Sequence, residues 1–120
     1  MQPETPESLE RDIQSNFLQQ LRKLDPDNPE DVVRSGTLVC NLAHIYHETG
    51  RVDEAEANYL CALEIYLETL GSAHPFTATV LNNLGSLYCT TGRFTQALDA
   101  HNAALKIESK MFGQSDPAIA

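Results

Sequence analysis

The stretch Asn83-Leu84-Gly85-Ser86-Leu87-Tyr88-Cys89-Thr90-Thr91-Gly92-Arg93 decides the fold, because its landmarks occur once before in the same order. Asn41-Leu42 falls on Asn83-Leu84, Tyr46 on Tyr88 and Gly50-Arg51 on Gly92-Arg93. Working outward in the same register, Ala55 falls on Ala97, Ala62-Leu63 on Ala104-Leu105, Ile65 on Ile107, Gly71 on Gly113 and Pro75 on Pro117. Every pair is 42 residues apart, and no gap is needed. The identities sit on glycines, alanines and large apolar residues, the types that decide packing, so they mark a structural repeat.

Within each unit the punctuation separates two helices. Gly50 and Gly92 suit the left-handed conformation that ends a helix, and Pro75 and Pro117 suit the first turn of the next one. The first unit, 29–74, is expected to hold helices from about Pro29 to Thr49 and from about Val52 to Leu70, with Val32, Leu38, Leu42, Ile45 and Tyr46 on one apolar stripe. The second, 75–116, is expected to hold helices from about Pro75 to Thr91 and from about Phe94 to Phe112. Their stripes comprise Val80, Leu81, Leu84, Leu87 and Tyr88, then Phe94, Ala97, Leu98, Ala104, Leu105 and Ile107. No useful run alternates with period two, so the expected class is all-α, built of antiparallel helix hairpins.

Small residues are complementary to large ones. Ala43 and Gly85 on the first helices, and Ala55, Ala62, Ala97 and Ala104 on the second, let helix axes approach while tyrosines and leucines fill the flanks. Leucine at Ala62 or Ala104 is expected to overpack the hairpin by about 1–3 kcal/mol. Glu56 is expected to be an exposed position where the same change does little.

The pattern Leu81-Asn82-Asn83-Leu84-Gly85, Leu87-Tyr88, Gly92-Arg93, Ala97, Ala104-Leu105-Lys106-Ile107 and Gly113 to Pro117 resembles the 42-residue variant of the tetratricopeptide repeat (TPR) found in kinesin light chains and related proteins. The resemblance covers about residues 30 to 120. It implies that the hairpins stack into a right-handed α-α superhelix whose first helices line a concave groove for peptides. On that geometry the groove positions are Thr37, Cys40, Asn41, His44, His47 and Glu48, then Thr79, Asn82, Asn83, Ser86 and Cys89. Asn41 and Asn83 share one register, and family asparagines at matching positions contact peptide; the competing account is that both only bond between neighbouring helices.

The two ends are irregular. Leu9, Ile13, Phe17, Leu21 and Leu24 form a further stripe, so residues 1–28 are expected to carry an N-terminal helix from about Pro6 to Leu24. It is either the second helix of a degenerate hairpin or a cap, and its Gln14, Gln19, Gln20, Arg22 and Lys23 favour a cap. The loop Leu24 to Pro29 matches Leu70 to Pro75 at an offset of 46, so four extra residues are expected to lengthen the helix that follows. Residues 117–120 read as the start of a truncated further helix, giving about five helices plus a stub. Solenoid ends need cover. Either a longer array supplies it, or copies of the chain cover one another through Leu105, Met111, Phe112 and Ile119 as a structural or homo-oligomerisation module.

The 120 residues are 42% hydrophobic and 21% charged, within the globular range. Seventeen acidic against eight basic residues give a net charge of −9, which opposes nucleic acid and anionic membrane surfaces. Together with Glu48 it points to a protein or peptide partner of basic or apolar character. Cys40, Cys61 and Cys89 form no CxxC pair and read as reduced thiols; with no signal sequence and no long apolar run, a cytoplasmic location is expected.

Catalytic and metal signatures are weak. GxSxG, GxxxxGK[ST] and GxGxxG motifs are absent from the sequence, and Cys40 with His44 is an isolated i,i+4 pair, so no enzymatic role and no cofactor are expected. His44, His47 and Glu48 lie within one helical turn but lack the HExxH order, so no metal site is expected. A carboxylate clamp would need Lys or Arg on the groove positions, and those positions carry none. Two classes remain: a protein-binding adaptor or scaffold using the groove, and the self-association module.

Overall fold

The structure, a computed structural model, describes residues 6–112, and side chains other than those of residues 6–10, 13 and 112. Five helices follow in order: α1 (Pro6–Arg22), α2 (Pro29–Glu48), α3 (Val52–Thr69), α4 (Pro75–Thr90) and α5 (Phe94–Phe112). No strand occurs among the described residues. The expected stub at 117–120 lies outside them. Helices α2 and α3 form one antiparallel hairpin and α4 and α5 a second, with α3 against α4 at the junction and α1 against α2.

Local chemistry fixes the boundaries twice over. Pro29 and Pro75 occupy first turns, where the missing N–H costs nothing. Ahead of them the Asn28 Oδ1 accepts from the Glu30 N–H at 3.0 Å, and the His74 Nδ1 accepts from the Phe76 N–H at 3.0 Å. At the other ends Gly50 and Gly92 take φ of 82° and 77°. The following N–H groups of Arg51 and Arg93 donate back to the carbonyls of Tyr46 and Tyr88, each at 2.8 Å, which closes the helix in the Schellman manner. As the loop offset implied, α2 has 20 residues and α4 has 16.

Alanines mark the lines of closest approach: Ala43, Ala55, Ala62, Ala97 and Ala104 are at most 2% exposed. Tyr59, Leu87, Val80 and Thr77 are the largest side chains fully buried among them. Each large apolar group so enclosed contributes about 1.5–3 kcal/mol relative to exposure. On α2 the buried side comprises Gly36, Cys40, Ala43 and Tyr46, with half-buried Val33, Val39 and Leu42 packed against the main core and Val32, Leu38 and Ile45 half-buried beside it. Gly36 is required there, since a Cβ would stand 2.8 Å from Cε1 of Tyr66.

Two expectations about side chains are corrected. Phe94, Leu98 and Leu105 are not core residues but 60–68% exposed, because nothing among the described residues packs on that side of α5. Glu56 is not a neutral surface position: it is half-buried on α3, and its carboxylate accepts from Arg93 of the second hairpin at 2.8 Å. That pairing, with a further bond from the Tyr88 hydroxyl, holds the Glu56 carboxyl below its ordinary pKa against the opposing effect of burial.

Candidate functional site

The first helices α2 and α4 lie side by side, tied by contacts at a constant spacing. Asn83 reaches across to the Cys40 Sγ at 3.8 Å, and the Thr90 hydroxyl meets the His47 Nε2 at 3.3 Å, so residue i of α2 faces residue i+43 of α4. This register turns one polar strip of each helix outward. On α2 it carries Thr37, Asn41, His44 and Glu48, all exposed; on α4 it carries exposed Thr79, Ser86 and Thr90, with Asn83 half-buried at the seam. Two helix hairpins, repeated at 42 residues, with α4 of the second packed on α3 of the first and the first helices α2 and α4 meeting along one seam, are the geometry of a helical repeat array. The family model of the tetratricopeptide repeat matches residues 34–109. The chain belongs to the tetratricopeptide-repeat family. No curated protein matches the sequence.

TPR arrays mediate protein–protein interaction, and the polar strip of this array is the surface its first helices offer. Within it the His44 Nε2 and the Glu48 carboxylate lie 3.3 Å apart, both well exposed. Thr37 adds a hydroxyl already engaged with the Tyr66 hydroxyl at 2.7 Å. Exposed Thr79 donates its hydroxyl proton back to the Pro75 carbonyl at 3.0 Å. Thr90 belongs to the strip although the sequence reading omitted it; its place 42 residues after Glu48 was the available signal.

Two of the expected groove residues are engaged in packing between TPR helices. Cys40 is 9% exposed within the main core, and burial pushes its thiol pKa up, with only the Asn83 bond opposing. A buried thiol held in its protonated form is a poor nucleophile, so the Cys40/His44 pair gains no activation from this setting. Asn82 turns toward α5, where its Oδ1 meets the His101 Nδ1 at 3.0 Å and its amide donates to Glu108 at 3.3 Å. Asn82 and Cys40 occupy equivalent positions in the two hairpins, on the flank of the helix rather than its crest.

The expected self-association residues are divided. Leu105 is exposed, whereas Met111 is half-buried against the cluster of Ala78, Ala104 and Ile107. The Phe112 side chain and Ile119 lie outside the described residues. His47 is engaged by Thr90 on α4, and among the described residues no three potential metal ligands converge. Among the described residues no helix is long and apolar enough to cross a membrane.

Proposed function

We propose that this TPR array is a non-catalytic adaptor that binds an extended segment of a partner protein along the polar strip of α2 and α4. The observation that carries the reading is the i to i+43 register, which fuses two short helices into one continuous surface of matched polar positions. Asn41 and Asn83 bracket its middle and present amide donors and acceptors suited to peptide backbone. Glu48 is the strip's formal charge and the chain's net charge is −9, so basic or apolar segments suit it better than a C-terminal carboxylate. A cytoplasmic setting, drawn from three thiols without a pairing pattern, belongs to the same reading.

A displayed peptide library sorted by charge, panned against the full chain, tests this directly. Basic peptides are expected to be enriched, and Asn41→Ala with Glu48→Lys is expected to weaken them by about tenfold or more without lowering the melting temperature. Enrichment of acidic C-terminal peptides, or affinity unmoved by the double change, would sink the reading.

A further inference from the structure

The two TPR hairpins carry different residues on the face each turns toward the C-terminal side of the array. In the first hairpin that face holds Cys40, Glu56, Tyr59 and Tyr66, and the second hairpin is fitted to it. Glu56 pairs with Arg93 at 2.8 Å, Cys40 meets Asn83 at 3.8 Å, and the Tyr66 ring stands 5.6 Å from that of Phe76. Arg93 also lies over the Tyr88 ring at 4.5 Å, so the ion pair is braced from the second hairpin's side. In the second hairpin the same four positions, 42 residues on, are Asn82, Leu98, His101 and Glu108. Here Asn82 joins His101 at 3.0 Å and Glu108 at 3.3 Å, and Leu98 is 60% exposed.

We infer that these four positions set the stacking order: the outward face of the first hairpin accepts the second hairpin, and the outward face of the second refuses another copy of itself. A further copy seated in the same register would bring its counterpart of Arg93 against Leu98, where no carboxylate waits. Its counterpart of Phe76 would press on Glu108, and its counterpart of Asn83 would meet the amide of Asn82 instead of a thiol. Glu108 and His101 would be taken from water with no opposing group gained, which is the costly way to bury polar atoms. Matching head and tail faces would propagate copies into an open filament, and the replaced residues remove that match. The inference rests on the hairpin geometry and is independent of what the polar strip binds.

The test is a second copy of residues 75–120 fused after residue 116 of the full chain, which preserves the 42-residue spacing. In the native background the added hairpin is expected to exchange its amides within about tenfold of the unfolded rate, with the parental melting temperature unmoved. With Asn82→Cys, Leu98→Glu, His101→Tyr and Glu108→Tyr in the first copy, and Ala78→Gly to make room for the new ring as Gly36 does under Tyr66, the added hairpin is expected to gain about 100-fold protection or more and to melt with the rest in one transition. Protection of the added hairpin in the native background overturns the inference. So does its continued lack of protection in the exchanged background while the unfused exchanged chain stays folded. Should that exchange itself unfold the chain, Leu98→Glu alone, at an exposed position, gives the same two outcomes through the Arg93 counterpart.

Discussion

The first hairpin joins its helices around aromatic rings, and the second joins the same positions through polar groups. In the first, Tyr66 lies over Gly36, leaving no room for a Cβ; in the second, the counterparts are Glu108 and Ala78. About two turns away, the positions of Ala43 and Tyr59 are taken in the second hairpin by Gly85 and His101, which lie so close that a Cβ on the glycine would stand 2.6 Å from the His101 Nε2. The glycine thus stands under Tyr66 in the first hairpin and under His101 in the second, at different positions of the repeat. Within one molecule this is a record of compensation: each first helix is trimmed to its own second helix, and neither hairpin is a generic copy of the other.

The comparison breaks most easily at the fully buried ring. Tyr59→Ala is expected to cost about 3–5 kcal/mol, while His101→Ala at the equivalent position costs about 1 kcal/mol, read as shifts in urea midpoint at constant slope. Equal losses would mean that the second hairpin is packed as the first is. Next in size is the pair of glycines. Gly36→Ala drives a methyl into Tyr66, which is 4% exposed and cannot swing away, so a loss of about 1–3 kcal/mol is expected. Gly85→Ala displaces only the half-buried His101; the lost Asn82 bond and the gain in helix propensity, each about 1 kcal/mol, leave it near neutral.

How much of this was legible beforehand depends on where the information sits. The five helices were readable because Asn28-Pro29, Gly50-Arg51, His74-Pro75 and Gly92-Arg93 carry local conformational demands that any neighbour must obey. The polar strip was readable in outline for the same reason, as Asn41, His44, Thr79 and Ser86 fall between core positions at helical spacing. Phe94, Leu98 and Leu105 were not: periodicity shows that a stripe is apolar but not whether another element covers it. Cys40 and Asn82 depended on which flank of the helix faces inward, a matter decided by the i to i+43 register and not by either residue alone. Glu56 was misread because its partner, Arg93, belongs to the other hairpin.

Two smaller effects sharpen the contrast. The Tyr59 hydroxyl is buried without a hydrogen-bond partner, and burial pushes its pKa up to about 12. Tyr59→Phe removes that unsatisfied group and is expected to stabilise the chain by about 1 kcal/mol, visible as a rise in melting temperature; a fall would show that the hydroxyl is satisfied in solution. The smallest effect is electrostatic. Because the Glu56 pKa is lowered on folding, its contribution is present above the ordinary carboxylate range and is lost as pH falls through the lower folded value. The stability difference between the native chain and Glu56→Gln is therefore expected to vanish on acidification, whereas Leu98→Gln at the equivalent position is expected to show no such pH dependence.

The constant spacing between α2 and α4 also bears on how the chain reaches this shape. The bonds that join the hairpins link residues 37 to 43 positions apart, and a bond from α1 to α2 spans 32, so the ordering of each element awaits only its immediate neighbour. Contacts this local close small loops at little entropic expense, which favours rapid folding by extension from either hairpin. A nascent chain could therefore acquire its first hairpin while the second is still being synthesised, with the aromatic face of Tyr59 and Tyr66 as the exposed edge awaiting α4.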